Sequence, residues 1–126
     1  MVQAENCNLY AIAGRSLEKA QAYRQEFGFE KAYGSYEELL ADPAVEAVYI
    51  PLPNELHYQW TIKALQAKKH VLCEKPLAPT AQQITEMHRV AKENGVFLME
   101  AFAYLHSPLI RAIKEDEDSG IIGDVL

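Results

Sequence analysis

The sequence predicts an α/β fold, a doubly wound and mainly parallel sheet with helices between its strands. Three observations carry that expectation. Five short apolar runs alternate with amphipathic stretches. The stretches open on helix-capping residues and close on helix-stopping ones. The runs are apolar throughout instead of alternating, as strands covered on both faces are. Strand and helix taking turns implies right-handed crossovers, and so parallel pairing.

The first run is residues 9–13, ended by Gly14. Ser16 is placed to cap a helix over about Leu17 to Phe27, and Gly28 supplies its left-handed stop. A weak strand around residues 29–33 follows. Ser35-Tyr36-Glu37-Glu38 has capping-box spacing and opens a helix that Asp42-Pro43 closes. Residues 47–50 form the second strong run, ended by Pro51-Leu52-Pro53. Asn54 is read as the cap of a helix with Leu56, Trp60, Ala64 and Leu65 on one face. His70-Val71-Leu72-Cys73 leads into Glu74-Lys75-Pro76. Thr80-Ala81-Gln82-Gln83 is another capping box, and its helix is expected to bury Ile84, Met87 and Ala91, with His88 at the core edge, before Asn94-Gly95. Residues 96–99 are the last strong run. Ser107-Pro108 then starts a helix carrying Leu109, Ile110 and Ile113.

Composition narrows the function. A net charge of -6 leaves no basic surplus for a nucleic-acid partner. No apolar run approaches the roughly 20 residues of a membrane span, and residues 1–5 lack the charged and apolar regions of an export signal. Cys7 and Cys73 have no disulfide or metal spacing, so they read as free thiols of the cytoplasm. His57, His70, Cys73 and Glu74 do not make a metal site. Cys73 lies an odd number of residues from His70, on the opposite strand face, and no Cys-x-x-Cys or His-Glu-x-x-His is present.

Parallel sheets bind ligands beyond the carboxyl ends of their strands. That singles out Gly14-Arg15-Ser16, residues 51–57, Glu74-Lys75-Pro76 and residues 100–106. At the first of these, NAD-selective proteins place a carboxylate for the adenosine ribose. Gly14 stands there instead, Arg15 can pair with a 2'-phosphate, and Ser16 offers a hydroxyl at a helix start. NADP is therefore expected as cofactor, with NAD as the alternative.

Taken together, Ala13-Gly14-Arg15-Ser16, Tyr36-Glu37-Glu38-Leu39-Leu40, Pro53-Asn54-Glu55-Leu56-His57 and, above all, residues 70–76 resemble the Gfo/Idh/MocA family. Met99-Glu100-Ala101-Phe102 with Tyr104 and Pro108 is similar to its dihydrodiol and aldose dehydrogenases. The resemblance implies a Rossmann-like domain over residues 1–119 that lacks the first strand and its Gly-x-Gly-x-x-Gly turn. The absent strand would lie between the runs at Leu9 and Ala47. Residues 1–6 would be the tail of the helix after it, and residues 120–126 the start of a substrate domain.

By the same resemblance, the protein transfers hydride on a sugar, polyol or diol-type substrate, in a homo-oligomer, and this stretch alone is inactive. Lys75 would be the catalytic residue, hydrogen-bonded to the reacting oxygen; a lysine partly desolvated in a cleft suits that work. Glu74 would orient the nicotinamide ribose or tune Lys75, without a direct ion pair between them. Pro51, Asn54 and His57 would lie near the nicotinamide, with His57 neutral at its helix N-terminus. The rival reading is an association-dependent, non-catalytic module, because removing the middle strand leaves two sheet edges unpaired.

Overall fold

Five strands take turns with helices along the chain. A computed structural model describes residues 7–121 and 123. The readings of residues 1–6 and most of residues 122–126 lie outside them. The strands are β1 (Ala11–Ala13), β2 (Lys31–Tyr33), β3 (Ala47–Ile50), β4 (His70–Cys73) and β5 (Leu98–Glu100). Between and after them come α1 (Leu17–Phe27), α2 (Tyr36–Ala41), α3 (Asn54–Gln66), α4 (Ala81–Asn94) and α5 (Pro108–Asp118), with a short 3-10 turn at Ala103–His106.

The helix ends follow from their caps. The hydroxyls of Ser16, Ser35, Thr80 and Ser107 accept from the N–H groups of Lys19, Glu38, Gln83 and Leu109. Gly28 and Gly95 stop α1 and α4 at φ 76° and 68°, where a Cβ would be strained. Two expectations fail. Asn54 is the first residue of α3, not its cap: Pro53 takes the cap position with φ -55° and ψ 144°, and no side chain caps that end. His88 is exposed. The buried positions of α4 are Met87, Val90 and Ala91, a stripe that turns the His88 side chain away from the core, while Ile84 is half-buried at its margin.

Every strand pair is parallel, but the strands form two sheets, β1-β2 and β3-β4-β5. Helices α3 and α4 cover one face of the larger sheet, over Ile50, Val71, Cys73, Leu65 and Met87. On the sheet, Tyr49 and Met99 are exposed, and burial along β4 alternates. The expectation of strands buried on both faces is thus met on one face among the described residues. The apolar side chains for the second face are present without a cover.

Between β1 and β3 lies a cleft of about 700 Å³, bordered by Ala11, Ala13, Ala47, Tyr49, Leu40 and Trp60. The Tyr10 carbonyl and the Gly14 N–H serve β2, and the Glu46 and Ile50 carbonyls serve β4. In a parallel ladder the alternate residues face the other way. The backbone groups of Ala11 and Ala13 therefore face those of Ala47 and Tyr49 across the cleft, where no described strand lies.

Asp42, at the end of α2, ties the two sheets together. One of its carboxylate oxygens accepts from Tyr10, Tyr33 and Lys31, all on the β1-β2 side, and the other accepts from the Ala44 N–H. Its backbone carbonyl accepts from the buried Lys69, which leads into β4. The Tyr33 and Lys31 hydrogen bonds hold the Asp42 carboxyl far below its ordinary range, and the Tyr10 and Asp42 contacts hold Lys31 above its own.

Two outcomes follow from this architecture. A carboxyl with a depressed folded-state pKa stabilises fully above the unfolded value, about 3.9, and loses that contribution as pH falls toward the folded value. Asp42→Asn should lower Tm by several degrees at pH 7, and its Tm should fall less than the wild type's when the pH is taken below about 4; calorimetry across pH checks both. The facing edges, unpaired among the described residues, should make the 126-residue chain self-associate on its own, which sedimentation velocity over a concentration series detects.

Candidate functional site

Strand β4 ends in a turn whose backbone is fastened from three sides. The Glu74 N–H donates to the Ile50 carbonyl of β3 (3.1 Å), and the Cys73 carbonyl accepts from the Ala101 N–H beyond β5 (2.8 Å). The Lys75-Pro76 peptide is cis. The Pro76 carbonyl lies 2.8 Å from His57 Nδ1, and the Leu77 N–H donates to Glu100 Oε1 at 2.7 Å. Leu77 and Ala78 are buried, so the chain re-enters the core just past the turn. Lys75 and Pro76 form its exposed tip.

Lys75 therefore stands in solvent, and the partial desolvation expected for it is not supplied by the described residues. Glu74 is held from its other side. Its Oε1 accepts from the Tyr49 hydroxyl at 2.6 Å, and its Oε2 lies 3.3 Å from the Lys75 N–H. The Tyr49 bond, with the Lys75 N–H, keeps the Glu74 carboxyl below its ordinary range. The same bond pushes the Tyr49 hydroxyl up to about 12, because ionising it would set a phenolate against the carboxylate. No ion pair joins Glu74 to Lys75 among the described residues.

His57 departs from its expected place. Its side chain is fully buried, and its Nε2 lies 2.7 Å from the Leu52 carbonyl while Nδ1 faces Pro76. Both ring nitrogens are occupied by backbone, so no polar edge is free for a nicotinamide. Pro51 and Asn54 remain exposed at the carboxyl end of β3, beside the Leu52 turn.

Arg15 and Ser16 lie at the carboxyl end of β1, in the smaller sheet, and border a separate cavity of about 520 Å³ with Gly14, Lys19 and Tyr23. Ser16 accepts the Lys19 N–H, which leaves its own hydrogen free to donate. Among the described residues, no carboxylate borders this cavity. A Cβ on Gly14 would meet nothing closer than the Ser16 carbonyl at 3.9 Å, so packing does not demand glycine there. What glycine does is leave the cavity without a competing side chain.

Lys19 and Tyr49 carry no sign of their roles in the reading of the sequence, and Glu100 is singled out there without its bond to Leu77. Lys19 sits one turn past the Ser16 cap, where its spacing could have revealed it. Tyr49 pairs with Leu72, so Glu74 is its diagonal neighbour on the same face, a relation that needs the register. Glu100 had no local signal for its bond to Leu77. Elsewhere, burial pushes the Cys73 thiol up, and no group of three or more His, Cys, Asp or Glu side chains gathers to hold a metal among the described residues.

This arrangement can be set beside known proteins. A model of the Gfo/Idh/MocA oxidoreductase family, with its NAD-binding Rossmann fold, matches residues 1–102. The chain belongs to that family. It is 46% identical to a D-xylose 1-dehydrogenase (NADP(+)) of Haloferax volcanii, over 90% of this chain and 35% of that protein. It is 44% identical to a trans-1,2-dihydrobenzene-1,2-diol dehydrogenase of Mus musculus, over 91% of this chain and 34% of that one. Among solved structures, a 3-ketoreductase of Actinomadura kijaniata in complex with TDP-benzene and NADP superposes with a TM-score of 0.88. That match has 40% identity and covers 98% of this chain and 39% of that one. The chain thus spans about a third of the length of the curated relatives it matches.

Removing the Tyr49 hydroxyl should free the Glu74 carboxyl. In Tyr49→Phe the Glu74 side chain should titrate at a higher pH than in the wild type, nearer the ordinary carboxylate value, as followed by carbon NMR of the carboxyl group. An unchanged titration would show that Tyr49 does not hold it.

Proposed function

We propose that this chain is the nucleotide-binding part of an NADP-dependent oxidoreductase acting on a sugar, polyol or diol-type alcohol or carbonyl, with Lys75 as its catalytic residue. The observation that carries the reading is the placement of Lys75. With Pro76 it forms the exposed tip of a turn whose backbone is held by β3, α3 and β5, at the carboxyl end of β4.

The adenosine end of the cofactor fits the cavity at Gly14-Arg15-Ser16. Arg15 and Lys19 supply positive charge, Ser16 a hydroxyl, and among the described residues no carboxylate is there to repel a 2'-phosphate. When bound, the dinucleotide supplies or takes up hydride. Lys75 Nζ would hold the reacting oxygen, giving a proton as a carbonyl is reduced and taking one as an alcohol is oxidised. Glu74, fixed by Tyr49, would present its remaining lone pairs to the ribose hydroxyls, and Pro51 and Asn54 would border the nicotinamide end. The buried free thiol of Cys73 is in keeping with the cytoplasm, and a homo-oligomer remains the expected assembly.

The edges of β1 and β3, unpaired among the described residues, favour a second reading, in which the chain is an association-dependent, non-catalytic module. Cofactor binding and turnover separate the two. In the full-length protein, Lys75→Ala should lower kcat by on the order of 10²–10⁴ while leaving NADPH affinity nearly unchanged. Arg15→Ala with Lys19→Ala should weaken NADPH by about tenfold or more and leave NADH unaffected. Fluorescence titration and steady-state kinetics check both. Full activity in Lys75→Ala would overturn the proposal, and absence of dinucleotide binding would favour the second reading.

A further inference from the structure

We infer that Glu100 is a positioning residue: from the end of β5 its carboxylate fixes the Pro76–Leu77 peptide, and through that peptide the direction in which Lys75 leaves the fold. The peptide is held at both of its polar atoms. Its carbonyl, on Pro76, lies 2.8 Å from His57 Nδ1, and its N–H, on Leu77, donates to Glu100 Oε1 at 2.7 Å. The proline ring already fixes φ at Pro76. A peptide plane fixed just beyond it holds ψ there as well, so the residue after Lys75 has no loose backbone torsion.

Glu100 reaches this peptide from the covered face of the sheet. Along β5, Leu98 packs against the core and Met99 is exposed, so alternation returns Glu100 to the side of Leu98. In the parallel register Glu100 stands opposite the fully buried Cys73. The chain leaves the sheet at Cys73 and re-enters the core at Leu77, and the Glu100 side chain spans the gap between them. The grip on the other side of Lys75 is the weaker one. The Lys75 N–H has Glu74 Oε2 at 3.3 Å in an exposed position, whereas the Leu77 bond is short and part-buried. Pro76 between them has no N–H to give. Glu100 therefore acts on Lys75 through the backbone and needs no contact with substrate or cofactor. The consequence for catalysis rests on Lys75 being the catalytic residue; the hold on Leu77 does not.

The test uses the full-length protein, labelled with nitrogen-15 leucine and valine and measured first without cofactor. In Glu100→Ala the Leu77 amide proton should move upfield and exchange faster, with the Val71 amide unchanged. Glu100→Gln, whose side-chain carbonyl still accepts, should leave Leu77 near its wild-type position. Glu100→Asp, a milder change whose carboxylate falls one methylene short of Leu77, should move the amide as alanine does, so the test does not depend on the alanine variant folding. A Leu77 amide unmoved by both shortened side chains would overturn the inference. In steady-state kinetics Glu100→Ala should lower kcat by about ten- to a hundredfold through misplacement of Lys75, with NADPH affinity nearly unchanged and most of the rate recovered in Glu100→Gln. Made in Lys75→Ala, the same substitution should cost no further rate, because the side chain it aims is gone. A loss there as large as in the wild type would show that Glu100 acts apart from Lys75, and would also overturn the inference. Full activity in Lys75→Ala would overturn the reading of Lys75 and with it the catalytic consequence, while the Leu77 amide reports the grip either way.

Discussion

The backbone of the turn after β4 has no regular partner, and the surrounding elements are arranged around that need. Leu77 and Ala78 draw the chain into the core immediately past Lys75. A buried N–H or carbonyl left unbonded costs about 1–3 kcal/mol, so each group on the way in must find a partner. Strand β3 supplies the Ile50 carbonyl, the segment after β5 the Ala101 N–H, Glu100 its carboxylate and α3 the His57 ring. Three separate stretches of chain therefore meet at one turn, and Lys75 and Pro76 are the residues they leave exposed. A lysine on such a turn is oriented by the fold itself.

The same economy explains why α3 begins where it does. Pro53 fixes the entry, and the first helical turn then brings His57 beneath Leu52 and Pro76. The core below is narrow, built from α3 and α4 against one face of a three-stranded sheet. The smaller sheet joins it through the Asp42 cluster and not through a continuous ladder. The Arg15–Lys19 cavity and the Lys75 turn thus lie at the carboxyl ends of strands in two sheets, separated by the cleft between β1 and β3.

Much of this was legible in the sequence because it is local. Ser16, Ser35, Thr80 and Ser107 cap the helices they precede, and Gly28 and Gly95 close two of them. The five runs become parallel strands, and the gap expected between the runs at Leu9 and Ala47 is the cleft between β1 and β3. What was not legible depends on residues distant in sequence. Asn54 has the composition of a cap, but the preceding proline takes that place. His57 reads as a surface or cofactor histidine until two turns fold over it and offer their carbonyls. Glu100 reads as an acid among apolar neighbours, and its role exists only because Leu77 arrives 23 residues earlier in the chain. His88 was misplaced by one position on the α4 wheel. The strands read as doubly covered because their sequence is apolar on both faces, while the described residues cover one.

The central claim is that the fold of this chain holds the Lys75 turn in place without help from a ligand. Native-state hydrogen exchange of the Glu74 and Leu77 amides, measured without cofactor or substrate, tests it most directly. Both amides should be protected about as well as the Val71 amide within β4, which pairs with the Phe97 carbonyl. Exchange of Glu74 and Leu77 at the rate of an unstructured peptide, with Val71 still protected, would contradict it.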